Sequence, residues 1–264
     1  MTAPATLLRI LQGSLLASSG AFMAWLSRSP FYWQLLNPRY SWLTLGAGLI
    51  LTLLGIIHLL HAGQKGRPTE TLALTLFLAL AALAILGPDA FAPPPPTYGS
   101  GYSGGSLTRT FDDETPQQPT VTVGDITYTR LNLAELLAGE TGGWANENGH
   151  FAIQGAVLRT PELDRAGYIA VARLYVYCCF ADAVGVVTLV AVNHPENHRP
   201  GSWVRVLGTL TPDAPFQDRS FEVTGALSTA RSQHFVLDAN KIEETPVEGV
   251  PFILEIRQKA PFAY

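Results

Sequence analysis

Three long apolar stretches occupy the first 92 residues of this chain and constrain its fold more than any other feature. They cover about residues 7–26, 42–60 and 71–86 and carry little charge. A helix needs about 20 apolar residues to cross a bilayer core, so the first two are long enough and the third is slightly short. We predict three short transmembrane helices, because the polar loop between the second and third stretches is typical of a helical hairpin. Two alternatives stay open: the third stretch as a buried helix, and the first as a cleaved signal peptide.

Basic residues around these stretches predict the orientation of the anchor. With the amino terminus inside, Arg9, Lys65 and Arg67 face the cytoplasm, whereas Arg28 and Arg39 face outward. Cytoplasmic loops carry the excess of Lys and Arg in membrane proteins, so this arrangement is preferred by three residues against two. Three crossings then place the rest of the chain outside the cytoplasm. We therefore expect a protein of the cell (inner) membrane with an extracytoplasmic C-terminal domain.

A change of composition divides the chain into an anchor (residues 1–92), a linker (93–118) and an acidic domain (119–264). The anchor holds five Lys and Arg against two Asp and Glu, and the remainder holds 12 against 19. The linker begins with four prolines and continues with a Gly/Ser run, a composition typical of spacers. The acidic charge of this remainder argues against a nucleic-acid partner, because phosphate binding needs a basic face. One adjacent cysteine pair also excludes a disulfide scaffold.

Short strands rich in Val, Ile, Tyr and Phe make up most of the acidic domain. The first covers residues 120–128, and a brief helix follows over 131–138, with Asn132 as N-cap and Glu135 three residues later. Five further strands are separated by turn residues: 151–158, 168–177, 185–192, 203–210 and 235–242. Glycines within them favour closure into a barrel: Gly155, Gly185 and Gly208. We predict an all-β C-terminal domain that forms a small barrel like the oligonucleotide/oligosaccharide-binding (OB) type, behind a helical membrane anchor.

The only two cysteines of the chain, Cys178 and Cys179, are adjacent, and Asp182 follows three residues later. They lie between the end of one expected strand and the start of the next. Thiolates and carboxylates bind zinc and copper, so the three residues form a candidate ligand or metal site with the metal left open. The alternatives are a structural role, with Asp182 capping the turn, and a vicinal disulfide. His194 and His198 follow the next strand and should lie at its opposite end.

Three short motifs carry a family resemblance: Arg173-Leu-Tyr-Val-Tyr-Cys178-Cys179-Phe-Ala181-Asp182-Ala183, Trp203-Val-Arg-Val206 and Pro261-Phe-Ala-Tyr264. With these motifs, the apolar spans and the proline-marked exit, the chain resembles the YcgQ-type family of bacterial membrane proteins, described as the small subunit of a two-component permease. The resemblance implies a large multi-span permease subunit as partner, typically encoded beside the small one. It also implies a set of structural motif residues: Arg173, Ala181, Ala183, Trp203 and Tyr264.

These observations favour a non-enzymatic accessory subunit of a two-component membrane permease, whose outer β domain binds or gates the substrate. No Ser-His-Asp set, Walker loop or paired-carboxylate arrangement can be identified from spacing, and the Cys-x-x-Cys motif of thiol oxidoreductases is missing from the sequence. We therefore do not expect an enzyme. The alternative is a stand-alone membrane-anchored protein that binds zinc, copper or another small ligand.

Overall fold

The computed structural model describes the following residues: 3–60, 119–212, 216, 221–247 and 250–264. Contacts within the chain form two units, Met1–Ala92 and Pro93–Tyr264. The third predicted span, residues 71–86, lies outside the described residues, as does the predicted linker, residues 93–118.

The first unit contains two long helices that coincide with the first two apolar stretches. Helix α1 spans Ala3–Leu26 and helix α2 spans Ser41–Leu60, with 3₁₀ turns at Tyr32–Gln34 and Pro38–Tyr40 between them. In the part of the chain that the structure describes, one helix, counted from Pro38 to Leu60, is long and apolar enough to cross a membrane by length and composition. Three transmembrane helices therefore stay a prediction.

Glycines allow α1 and α2 to pack backbone against backbone. A Cβ atom on Gly20 would lie 2.4 Å from the amide nitrogen of Thr52, and one on Gly55 would lie 2.4 Å from that of Ala17. A Cβ atom on Gly46 would meet no described atom within 4 Å. Small residues permit close approach of helices in lipid, where apolar burial does not drive association. The glycines at this interface therefore serve packing within the chain.

The second unit consists mainly of β-strands. Its elements in chain order are β1 (Thr120–Val123), β2 (Ile126–Arg130), α3 (Leu133–Gly142), β3 (His150–Leu158), α4 (Pro161–Ala166), β4 (Tyr168–Tyr175), β5 (Val184–Ala191), β6 (Trp203–Thr211), β7 (Ser228–Arg231), β8 (Val236–Glu244) and β9 (Phe252–Ile253). Strands β3, β4, β5, β6 and β8 correspond to the five later strands predicted from the sequence.

These five strands close into a barrel in the order β3–β6–β8–β5–β4, and β4 pairs back with β3. Neighbouring strands are antiparallel except β5 and β8, which are parallel. The predicted all-β C-terminal domain is confirmed as this closed barrel with extra strands. The hairpin of β1 and β2 joins β3, while β9 and β7 lie parallel to β4 and β5.

Apolar side chains fill the interior of the barrel. Ile153, Val171, Val206 and Leu237 have no exposed surface and belong to one cluster, which Leu133 of α3 joins. Full burial of side chains of this size stabilises a fold by about 1.5–3 kcal/mol each. The interior of the barrel is therefore a packed core, and helix α3 is part of it.

Two glycines stand where neighbouring strands of the barrel come closest. A Cβ atom on Gly155 would lie 2.8 Å from the carbonyl oxygen of Ala172, next to Ala156, where the pairing of β3 with β4 begins. One on Gly208 would lie 2.6 Å from the carbonyl oxygen of Asp238, at a bulge between β6 and β8. Glycine within a strand commonly marks such bends and close backbone approaches.

Parts of the fold differ from the sequence-based expectation. Residues 120–128 were expected to be one strand, which is wrong: Gly124, with φ of 60°, turns the chain into the hairpin of β1 and β2. Helix α3 begins two residues later than predicted, but Asn132 caps it as expected, because its Oδ1 accepts the N–H groups of Ala134 and Glu135 at 3.0 Å. The sequence pattern does not predict α4, β7 or β9, which are too short to show a period.

Candidate functional site

The cysteine turn, residues Cys178–Asp182, connects β4 to β5 at one end of the barrel. Phe180–Asp182 form one turn of 3₁₀ helix, in which the Asp182 N–H donates to the carbonyl oxygen of Cys179 at 3.2 Å. Just before it, the Val176 N–H donates to the carbonyl oxygen of Ile253 at 2.9 Å and so continues the pairing with β9. Strand β4 itself ends at Tyr175, so both cysteines follow the strand.

The carboxylate of Asp182 organises the cysteine turn through the backbone. Its Oδ2 accepts the N–H of Cys178 at 2.9 Å, and its Oδ1 accepts the N–H of Cys179 at 3.3 Å. A side-chain carboxylate that holds two successive backbone N–H groups curls the chain around itself. In an extended strand successive side chains would point to opposite faces. Here the curl directs both cysteine side chains to the same side.

The three candidate ligands consequently lie together. The Sγ atoms of Cys178 and Cys179 are 3.7 Å apart, and both thiols are free. These two sulfurs and a carboxylate oxygen of Asp182 lie within 4.8 Å of one another, and all three residues are partly exposed. In the described ranges, no other group of three His, Cys, Asp or Glu residues comes together in this way. The structure therefore brings together all three residues that the sequence marks as a candidate site.

Hydrogen bonding sets the protonation of the cysteine turn. The carboxylate of Asp182, then the Cys179 thiol, raise the pKa of Cys178 to about 12 by holding its proton. Burial by itself raises the pKa of Asp182. Hydrogen bonds from the Cys178 thiol and from backbone N–H groups lower this pKa by a larger amount, so the net shift is downward. The reactive form of cysteine is the thiolate, and reactive cysteines have a lowered pKa. The raised pKa therefore keeps Cys178 in the thiol form near neutral pH.

Arg173 holds the neighbouring segment in place beside the turn. Its buried guanidinium donates through Nη2 to the carbonyl oxygens of Val250 and Phe252, at 3.0 and 3.2 Å, and lies 5.3 Å from the ring centre of Trp203. Phe180 of the turn packs edge-on against Phe252, with ring centres 4.8 Å apart. Arg173, a motif residue, thus holds the segment that carries Phe252, and Phe252 contacts the turn through Phe180.

The remaining motif residues have separate places. Ala183 is buried, and its carbonyl oxygen accepts the N–H of Leu227 at 2.7 Å, whereas Ala181 is exposed. Tyr264 packs elsewhere: its hydroxyl accepts a hydrogen bond from Arg205 Nε at 3.1 Å, and its ring lies 5.4 Å from the guanidinium of Arg130. Tyr264 therefore secures the chain against β2 and β6, and it is not a ligand of the cysteine turn.

His194 and His198 lie at the far end of the same strand pair, as the sequence predicts. The register of β4 and β5 pairs Tyr175 with Val184 beside the cysteine turn and Tyr168 with Ala191 at the other end, where the histidine loop begins. His194 Nδ1 lies 3.1 Å from Glu196 Oε1 in that loop. The two histidines do not share a site with the cysteines.

Glu140 is a titratable group that the sequence does not single out. It lies in the last turns of α3, where burial raises its pKa to about 7, although a hydrogen bond from Ser232 lowers it. Nothing in the local sequence distinguishes Glu140 from an exposed helical glutamate. Its hydrogen-bond partner, Ser232, lies 92 positions away, directly after β7.

One comparison with known families covers the cysteine turn. The family model described as the DUF1980 C-terminal domain matches residues 106–235. This match spans just under half of the chain and includes Cys178, Cys179, Asp182 and Trp203, but not Tyr264. The chain matches no curated protein and no solved structure. The barrel unit is thus similar to the DUF1980 C-terminal domain, and the YcgQ-type resemblance stays a prediction.

Proposed function

We propose that this chain is a non-enzymatic accessory subunit of a two-component membrane permease. Its apolar helices anchor it in the cell membrane beside a large multi-span subunit, and its barrel lies outside the cytoplasm, where it binds or gates the substrate. The apolar character of α2 and the match of the barrel to the DUF1980 C-terminal domain support this proposal.

The observation that carries the binding role is the convergence of Cys178, Cys179 and Asp182 at the end of a filled barrel. Because residues such as Ile153 and Leu237 occupy the interior completely, a ligand has no space inside the barrel. Binding therefore takes place on the outside, and the cysteine turn presents three partly exposed polar side chains there. A site at the rim is also accessible to a second subunit.

We assign the barrel to the OB type on its connectivity. Numbered along the chain, its five strands follow the order 1–4–5–3–2 around the barrel, with the third and fifth strands parallel. A five-stranded Greek-key barrel of this kind binds its ligands with one face and with the loops at its rim. The name describes a shape and not a ligand, and the acidic charge of this domain argues against nucleic acid.

A second candidate is a stand-alone membrane-anchored protein that binds a metal ion or another small ligand. The proximity of two sulfurs and a carboxylate oxygen, within 4.8 Å of one another, favours this function as much as it favours a permease subunit. The two candidates differ in whether a stable membrane partner exists.

Co-purification with the neighbouring permease tests the proposal. The full chain, carrying a tag without histidines, is co-expressed with the multi-span permease encoded beside it and purified in detergent. We expect a complex that survives gel filtration. The variants Cys178→Ala, Cys179→Ser and Asp182→Asn, made separately, should each form the complex. Each should impair growth under a condition in which deletion of the gene also impairs growth.

Two results would count against the proposal in different ways. If the chain purifies alone, the accessory-subunit function is wrong and the stand-alone binding protein is favoured. If the complex forms and all three variants support growth like the parent, the cysteine turn has only a structural role. His194→Gln, in the loop at the other end of β5, is the matched control and should behave like the parent in both measurements.

A further inference from the structure

The distance between the two sulfurs of the cysteine turn matches a specific coordination geometry. Zinc–sulfur bonds are about 2.3 Å long and the ion is tetrahedral, so two thiolates on one zinc ion are separated by about 3.8 Å. The Sγ atoms of Cys178 and Cys179 are 3.7 Å apart. The curl of the turn around Asp182 has therefore placed adjacent cysteines, which a strand would separate, at the spacing of a shared zinc ion.

The third candidate ligand, Asp182, lies beside the two sulfurs. A thiolate and a carboxylate oxygen on one tetrahedral zinc ion are about 3.6 Å apart, given a zinc–oxygen bond of about 2.1 Å. The ligating atoms of Cys178, Cys179 and Asp182 all lie within 4.8 Å of one another. An ionised carboxylate accepts through about four lone-pair positions, so Asp182 can bind an ion and still hold the two backbone N–H groups. Those N–H groups orient the carboxylate as outer-shell hydrogen bonds orient metal ligands.

The same distance also distinguishes between coordination geometries. An ion with two opposed ligands would require the sulfurs to stand on either side of it, about 4.6 Å apart if its bonds match those of zinc. The observed distance lies close to the tetrahedral value. Soft thiolate ligands combined with a carboxylate also suit zinc chemically.

We propose that Cys178, Cys179 and Asp182 bind one tetrahedral zinc-type ion through both sulfurs and one carboxylate oxygen, with the fourth position open. This inference rests on the proposed role of the cysteine turn as the binding site of the domain. Each sulfur binds as a thiolate, so the two thiol protons pass to solvent as the ion enters. Structural zinc sites are closed by four protein ligands, whereas three ligands leave a position for water or an incoming donor. An open site at the rim can therefore exchange its ion with a partner.

Cobalt substitution in the full chain tests the site. The chain, with a histidine-free tag, is purified in detergent under a phosphine reductant and titrated with Co²⁺ alone. We expect one Co²⁺ per chain, a thiolate-to-cobalt charge-transfer band, and loss of that band on addition of Zn²⁺. Cys178→Ser and Cys179→Ser should each reduce the band to about half, since each removes one of two thiolates. Asp182→Asn should weaken binding about tenfold or more, and His194→Gln should leave both band and affinity unchanged.

A measurement on the unmodified chain tests the site even if the variants fail to fold. Zn²⁺ should protect Cys178 and Cys179 together from alkylation, as read by mass spectrometry, and a chelator should remove the protection. Absence of the charge-transfer band, a band unchanged in both serine variants, or equal alkylation with and without Zn²⁺ would each overturn the inference. Co-purification of the parent chain with the neighbouring permease separates the two hypotheses: a complex without metal binding rejects the zinc site alone, and metal binding without a complex rejects the subunit function alone.

Discussion

The carboxylate of Glu135 accepts the backbone N–H of Ala263 at 2.8 Å, across 128 positions of the chain. The same oxygen accepts the N–H of Arg257 at 2.9 Å, while the other oxygen accepts the N–H of Asn132 at 3.0 Å and closes the capping box of α3. One buried side chain thus caps a helix and holds the C-terminal segment against it. Stacking of Trp144 on Phe262, with ring centres 4.8 Å apart, reinforces this contact.

Replacement of Glu135 by glutamine should destabilise the barrel unit. Glutamine keeps the shape but turns an NH₂ group towards backbone N–H groups, which leaves at least one buried donor unsatisfied, at a cost of about 1–3 kcal/mol. Chemical unfolding measures the loss, and hydrogen exchange at the Ala263 amide should become faster. Glu147→Gln, in an exposed loop, is the control and should change neither. Unchanged stability of Glu135→Gln would show that the C-terminal segment is held by other contacts.

Stability should depend on pH through Glu140. Its pKa is raised from 4.5 to about 7 in the folded chain, so the folded state binds the proton more tightly than the unfolded state. The contribution of this group to stability is complete below about pH 4.5 and is lost as the pH rises through about 7. Glu140→Gln should therefore stabilise the chain at pH 8 by about 1–2 kcal/mol, allowing for solvent screening, with little effect at pH 4.5. Unfolding curves at the two pH values test this, and an effect of equal size at both would contradict it.

Alanine at the glycines between α1 and α2 should separate the helices. A Cβ atom on Gly20 or Gly55 would lie 2.4 Å from a backbone nitrogen of the facing helix, whereas one on Gly46 would meet no described atom within 4 Å. Overpacking costs about 1–3 kcal/mol, although alanine itself favours helix. We expect Gly20→Ala and Gly55→Ala to lower the thermal stability of the full chain in detergent, and Gly46→Ala to preserve or raise it. Equal effects at all three positions would mean that the helices do not pack through these glycines.

The barrel unit should fold without the anchor. Among the described residues, its core cluster is drawn from the segment between Leu131 and Phe262, which lies within the second unit. A fragment of residues 119–264 should be soluble, give a β-rich circular dichroism spectrum and melt cooperatively. An unfolded or helical fragment would show that the domain depends on the preceding residues.

Topology reporters test the predicted orientation. With the amino terminus in the cytoplasm and three crossings, alkaline phosphatase fused after Gly105 should be active, because the enzyme requires an extracytoplasmic position. A fluorescent protein that folds only in the cytoplasm should be dark at the same position. The reverse result would require an even number of crossings or an inverted anchor.

Local signals in the sequence accounted for much of the barrel and for the residues of the candidate site. Alternating apolar residues place β3 to β6 and β8 close to their observed bounds, because the side-chain period of a strand is visible over eight or nine residues. The Asn132–Glu135 pair marks the start of α3, because a capping box is a local interaction. The cysteine turn is marked by residue types alone: the only cysteines, with Asp182 beside them.

Long-range contacts determined the rest. The parallel pairing of β5 with β8, which is needed to close the barrel, joins residues 47 positions apart and leaves no periodic signal in either strand. The raised pKa of Glu140 depends on burial in the folded chain, and the reach of Glu135 to Ala263 depends on where the C-terminal segment packs. The residue types at Cys178, Cys179 and Asp182 suggest a metal site, but in a regular strand the two adjacent cysteine side chains would point to opposite faces. Only the folded turn, curled by two backbone N–H groups around one carboxylate, decided that they lie 3.7 Å apart.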